Sequence, residues 1–293
     1  MCDLESQDDA NENGRRAGDI SRRQFSALTM GAGLAMLLPK VADAVEVTDG
    51  MVNIPTADGM ADCYFARPST GTAPAVTVWP DALGLRTAYK QMGKRLAESG
   101  YSVLVVNPYY RVSKAPGVPE GANPALPETR AIMQTMRASM NPTTHVSDSR
   151  AFVAWLDAQP SVAKNRKMAV TGYCMGGVIT MRAAAAMPER IGACATFHGG
   201  GMATKAPDSP HLLIPQMKAH YLVAIAESDD MRDPEAKDLL RKAYADAKLP
   251  AEIEVYQGTQ HGWCPPDGGT VYNEAQAEKA WSRMLALFTT ALV

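Results

Sequence analysis

The sequence predicts an α/β fold, a mainly parallel central sheet flanked by helices, with an antiparallel strand pair ahead of it. Three observations carry that expectation. From residue 75 onward, short apolar and β-branched runs alternate with longer segments of helical period, the pattern of parallel strands joined by helical crossovers. The segment Gly172-Tyr173-Cys174-Met175-Gly176-Gly177 lies between a strand-like run at 168–171 and a helix-like run at 178–186. Third, a thiol, a carboxylate and an imidazole each follow the end of an expected strand: Cys174, the pair Asp229-Asp230, and His261.

The elements follow in chain order. Residues 1–44 read as an address. Ser21-Arg22-Arg23-Gln24-Phe25 precedes a moderately apolar run over 26–39, and Ala42-Asp43-Ala44 follows. A twin arginine, a short apolar run and a small-residue site are the marks of a Tat signal, here cleaved after Ala44. The competing reading is an amphipathic first helix of a cytoplasmic enzyme. The run is too short for an ordinary membrane span and contains glycine. The sequence therefore implies the Tat export machinery as a partner, a periplasmic or otherwise exported location, and no stable membrane anchor.

Residues 45–293 form one domain. Residues 51–55 and 62–67 read as the antiparallel pair, turning at Asp58-Gly59. Strands are expected over 75–79, 102–107, 168–171, 191–197, 221–226 and 251–256. Helices are expected over 87–99, 146–159, 178–187, 234–247 and 273–292. Residues 114–127 are rich in proline and glycine and read as a loop near the site entrance. A methionine-bearing helix over 130–142 is expected to cover it, its Met133, Met136 and Met140 serving the core or a substrate wall.

Composition narrows the function classes. The chain has 293 residues, 46% hydrophobic and 20% charged, with formal net charge −2. That length suits a single large core, and with no basic excess no nucleic-acid partner is expected. Cleavage after Ala44 would leave Cys63, Cys174, Cys194 and Cys264. In an oxidising compartment an even count invites disulfides, and Cys264 could pair with Cys63; packed free thiols are the simpler expectation. No Cys/His spacing resembles a metal site, so no metal and no cofactor are expected.

The chemistry gathers at Cys174. A strand, a polar residue between glycines and then a helix make a nucleophile elbow with cysteine at its tip. The following helix turns its unpaired N–H groups and positive dipole end toward the sulfur, which favours thiolate, and the Met175 amide is placed to stabilise an oxyanion. A buried structural cysteine in a glycine-rich turn is the bland alternative. In a parallel sheet the carboxyl ends of the strands form one edge, so Cys174, an aspartate and His261 can meet there. Nucleophile, acid and base come in the order of an α/β-hydrolase triad. Spacing back to Ala226 favours Asp229 as the acid, and spacing forward to Pro234 favours Asp230; Asp229 is preferred. His198, past another strand end, could line the pocket or be a loop histidine.

From about residue 50 to 293 the chain resembles the dienelactone hydrolase family, a cysteine-nucleophile branch of the α/β-hydrolases. The likeness rests on Gly172-Tyr173-Cys174-Met175-Gly176-Gly177, Gln260-His261-Gly262-Trp263, Ala226-Glu227-Ser228-Asp229, Trp79-Pro80-Asp81-Ala82-Leu83-Gly84 and Asn107-Pro108-Tyr109-Tyr110-Arg111. The resemblance implies a Cys174–His261–Asp229 triad and an oxyanion hole from the amides of Met175 and Ala82. It also implies hydrolysis of a dienelactone-like ester or lactone through a thioester. Asp81 stands where the family has a thiol-activating glutamate, one methylene shorter, and could instead cap its loop. Arg111 matches a substrate-binding arginine, with a solvated loop charge as the alternative. The second arginine of that clamp is missing, since its position is Pro265. Two rivals stay open: a broader esterase or acyltransferase, and a non-catalytic or thiol-redox binding protein on the same fold.

Overall fold

The computed structural model describes residues 38–293. The twin-arginine motif and nearly all of the apolar run after it lie outside the described residues. The strands are β1 (Val47–Thr56), β2 (Gly59–Pro68), β3 (Ala75–Trp79), β4 (Ser102–Val105), β5 (Met168–Tyr173), β6 (Ile191–Phe197), β7 (His220–Ala226) and β8 (Ala251–Tyr256). The helices are α1 (Thr87–Glu98), α2 (Pro127–Arg137), α3 (Pro142–Asp157), α4 (Gly176–Ala186), α5 (Glu227–Arg232), α6 (Ala236–Asp246) and α7 (Glu274–Ala291).

The strands form one sheet in the order β1-β2-β4-β3-β5-β6-β7-β8. β1 and β2 pair antiparallel from Val47↔Pro68 to Thr56↔Gly59, and β2 joins β4 antiparallel. Every pairing from β4 to β8 is parallel. The central strands are buried on both faces, which is why they read as nearly unbroken apolar runs. On one face Phe152 and Leu156 of α3, Ile179 and Met181 of α4 and Leu240 of α6 pack against Val170 and Cys194. On the other, Tyr89 and Leu96 of α1 and Met284 and Phe288 of α7 pack against Ala169 and Ala195.

The strand order reverses between β3 and β5, which creates a crevice at their carboxyl ends. Cys174 follows β5, and the loop holding Asp81 and Ala82 follows β3. The sheet therefore fixes where chemistry can occur before any side chain is considered.

Some boundaries differ from the sequence reading. The helix expected over 130–142 is α2 followed by a break, because Asn141-Pro142 starts a new helix. Asn141 caps α3 by accepting from the Thr143 and Thr144 amides while Thr144 answers its backbone. The hairpin turns at Ala57-Asp58, with Gly59 at φ +135° already in β2. A short helix, α5, and a 3-10 segment at Pro210–Gln216 were not foreseen. Cys63, Cys174, Cys194 and Cys264 are all free. Burial pushes the Cys63 and Cys194 thiols up to about 12. Among the described residues no helix is long and apolar enough to cross a membrane.

Candidate active site

Cys174 sits at the tip between β5 and α4 with φ +53°, a left-handed conformation for a residue with a side chain. Such a backbone costs on the order of 1–2 kcal/mol and persists only where its surroundings hold it. Here they do. The Cys174 amide donates to the Phe197 carbonyl at 3.0 Å, and its own carbonyl accepts from the Gly177 amide at 3.1 Å. The flanking glycines have no room for a side chain. A Cβ on Gly172 would lie 2.3 Å from the Gly176 carbonyl oxygen, and one on Gly176 would lie 2.6 Å from that of Trp79. The turn is thus wedged against β3, with the half-buried thiol at the crevice.

His261 reaches the same place from the β8 side. Its Nδ1 lies 2.8 Å from Asp229 Oδ2. The spacing is set by backbone ties between the two loops: the His261 amide donates to Ser228 Oγ at 2.9 Å, and the Ser228 amide donates to the Thr259 carbonyl at 3.2 Å. Asp229 is buried in α5 and also accepts from Arg232. Asp230 turns away and pairs with Lys237 at 2.7 Å. Hydrogen bonds first to Asp229 and then to Cys174 push His261 up to about 10, outweighing its partial burial. At neutral pH it is therefore an imidazolium, the neighbour that stabilises a thiolate.

The loop after β3 has nearly all its polar groups accounted for. The Asp81 amide donates to Tyr89 Oη at 3.2 Å, the Asp81 carbonyl accepts from the Gly84 amide at 2.9 Å, and the Leu83 amide donates to Asp81 Oδ1 at 2.9 Å. Buried Arg86 grips both Asp81 oxygens at 2.7 and 3.0 Å and reaches Asp267 at 2.9 Å. Asp81, expected as a thiol-activating residue, is in this geometry the anchor of its own loop. One methylene shorter than glutamate, its carboxylate is held back on Arg86. The amides of Ala82 and Met175 are different. Neither donates a hydrogen bond within the described residues, as an oxyanion hole requires.

Arg111, expected to hold a substrate carboxylate, is committed elsewhere. Its guanidinium donates to Asp148 at 2.7 and 2.8 Å and to Asp58 at 2.6 and 2.8 Å, with only 12% of the side chain exposed. Nothing of that arrangement is legible from an Arg after two tyrosines, because Asp58 and Asp148 are far away in sequence. His198 is fully buried, edge-on to His261 with ring centroids 5.1 Å apart. Burial and the neighbouring His261 hold it down to about 3, so it stays neutral. Near the crevice, Val118, Met136 and Tyr109 form a small apolar cluster with Leu83, Met133 and Met175. Tyr109, Arg86 and Asp267 were not singled out in the sequence; only Tyr109 lay within a quoted motif.

Comparison with known proteins gives one consistent result. A provisionally named carboxymethylenebutenolidase of Escherichia coli K12 is 26% identical over 273 residues, 89% of this chain and 96% of its own. The carboxymethylenebutenolidase of Rhodococcus opacus is 26% identical over 227 residues, 76% of this chain and 83% of its own. A Klebsiella pneumoniae structure provisionally named a dienelactone hydrolase superposes with a TM-score of 0.72, covering 83% of this chain and 99% of its own at 24% identity. The model of the dienelactone hydrolase family matches residues 61–292. With that span covering both loops of the crevice, the Cys174 turn and the His261 segment, the chain belongs to the dienelactone hydrolase family and is a carboxymethylenebutenolidase-like hydrolase.

Proposed function

We propose that this protein hydrolyses a carboxylic ester or lactone through Cys174, His261 and Asp229, with a thioester intermediate. The observation that carries the reading is the strained Cys174 beside an imidazolium whose other nitrogen is held by Asp229. Cys174 Sγ attacks the carbonyl carbon, and the carbonyl electrons move to an oxygen held by the Ala82 and Met175 amides. On collapse the C–O bond breaks, and the leaving oxygen takes the proton from His261. Water then adds to the thioester as His261 takes its proton, and the thiolate departs as the acid forms. Asp229 keeps the imidazole in one orientation throughout.

The same geometry bears on the substrate. With Arg111 occupied by Asp58 and Asp148 and position 265 a proline, no two-arginine carboxylate clamp is available. Leu83 and Met175, the sequence neighbours of Ala82 and Cys174, lie with Met133 in one partly buried apolar cluster. An uncharged ester or lactone fits this surface better than a dicarboxylate. Accordingly, Arg111→Ala is expected to leave the KM for p-nitrophenyl acetate within twofold, while stability falls by about 3 kcal/mol because Asp148 is left as an unpaired buried carboxylate. Denaturant melts and steady-state kinetics check this. The function itself is tested by turnover of p-nitrophenyl acetate, a neutral lactone and dienelactone: hydrolysis of none of the three would refute it.

We also propose that residues 1–44 direct Tat export, supported by Arg22-Arg23 and Ala42-Asp43-Ala44. Replacing both arginines by lysine is expected to leave uncleaved protein in the cytoplasm; unchanged periplasmic recovery in cell fractionation would exclude this.

A further inference from the structure

Tyr109 is fully buried beside the crevice, and its phenol oxygen meets two residues at once. It lies 3.0 Å from the Ala82 carbonyl oxygen and 3.2 Å from the Met175 sulfur. Both are residues whose amides have no partner among the described residues. Burial raises the phenol far above its usual range, so it stays protonated and donates. A carbonyl is a far better acceptor than a thioether, so the proton goes to Ala82.

The ring is itself fixed. The Tyr109 amide donates to Asn107 Oδ1 at 2.9 Å, and Asn107 Nδ2 donates to Asp62 at 2.9 Å and to the Ser113 carbonyl at 2.9 Å. Across from it Gly84, at φ +79°, leaves space for the ring: a Cβ there would stand 3.1 Å from it.

The peptide group joining Ala82 to Leu83 is consequently held at both ends, its carbonyl by Tyr109 and its N–H by Asp81. The preceding peptide group, which carries the Ala82 amide, has its carbonyl held by Gly84 and its N–H unpartnered. Two adjacent planes pinned in this way leave the Ala82 amide little freedom to rotate. An oxyanion donor is effective when it needs no reorganisation as charge develops.

We propose that Tyr109 is a positioning residue for the oxyanion hole, its hydroxyl tying the Ala82 loop to the loop after β4 while its oxygen packs on the Met175 side chain, so that the Ala82 and Met175 amides converge on one oxygen. The inference rests on the thioester reading above, which wild-type turnover tests separately. It assigns Tyr109 no contact with the substrate.

The test is Tyr109→Phe, compared with wild type in three measurements. Removing an oxyanion donor outright costs about 10²–10³-fold in kcat; loosening one by losing its support is expected to cost about 10- to 50-fold, with KM within twofold. Inhibition by an aryl trifluoromethyl ketone, whose thiolate adduct carries an oxyanion, weakens by the same factor. Alkylation of Cys174 by iodoacetamide forms no oxyanion and keeps its wild-type rate. Tyr109→Leu, which also lacks the hydroxyl, matches Tyr109→Phe in kcat per alkylatable site despite its lower thermal midpoint. Wild-type kcat and ketone affinity in Tyr109→Phe would overturn the proposal. So would an equal fall in alkylation, or a kcat in Tyr109→Leu far below that of Tyr109→Phe, since both indicate general distortion of the site.

Discussion

Cys174→Ser is expected to lower kcat/KM for p-nitrophenyl acetate by at least about 10⁴-fold, on the scale seen when an activated nucleophile is removed. The reasoning is chemical rather than steric. Serine fits the same φ +53° turn and preserves its backbone hydrogen bonds to Phe197 and Gly177. What disappears is the polarisable sulfur, a better nucleophile than a hydroxyl and a better leaving group from the acyl intermediate. Cys174 and Asp229 together hold His261 at about 10. A hydroxyl cannot supply its part of that stabilisation and is the weaker nucleophile at the same position. The thermal midpoint should move little. Cys264→Ala is the contrasting variant. Burial pushes the Cys264 thiol well above its usual range, and the residue is free and packed, so hydrolysis should survive its removal. Loss of turnover in Cys264→Ala with retention in Cys174→Ser would contradict the assignment of Cys174 as the nucleophile.

The second large effect belongs to Asp229→Asn, expected to reduce kcat/KM by about 10²- to 10⁴-fold, as when the orienting acid of a triad is neutralised. Asparagine can satisfy Arg232 or present an amide to His261, but it cannot favour the imidazolium. Asp229 is the largest cause of the raised His261 value. Its loss therefore lets His261 shed its proton at lower pH, and the alkaline limb of Cys174 alkylation by iodoacetamide should change between neutral pH and about 10. Stability follows the same sign. An imidazolium raised from about 6.5 in the unfolded chain to about 10 when folded contributes fully below pH about 6.5. That contribution fades as pH rises through about 10, so the wild-type advantage over Asp229→Asn in thermal midpoint should shrink across this window. Asp230→Asn, which removes only a partner of Lys237, should stay within about threefold of wild type.

Much of this site could be read from the chain because its chemistry is local in sequence. A strand, Gly172, Cys174, Gly176 and a helix contain their own geometry: each glycine is required where a Cβ would strike backbone. The carboxyl-edge rule then brought Asp229 and His261 toward the same crevice without any knowledge of contacts. The choice between Asp229 and Asp230 was harder, since it depends on α5, a six-residue helix that directs one carboxylate inward and the other to Lys237. The charged positions were less legible in the sequence, which left a loop-capping Asp81 and a non-binding Arg111 open. Asp81 and Arg111 match functional positions by place in the chain, yet Asp81 pairs with Arg86, and Arg111 with Asp58 and Asp148. The partners of Arg111 are far away in sequence, and such ion pairs carry no periodic signal. Tyr109 was hidden for a related reason: a tyrosine in an apolar loop looks like core until its hydroxyl is found on Ala82.

The most direct measurement is acid quenching of the protein during turnover of p-nitrophenyl acetate, followed by peptide mapping of the acyl group. The account predicts acetyl on the peptide bearing Cys174, removable by neutral hydroxylamine as a thioester, and accumulated further in His261→Asn once excess ester has forced its acylation. Acetyl on a different residue, or steady turnover with no acyl group on Cys174 at any quench time in either protein, would contradict it.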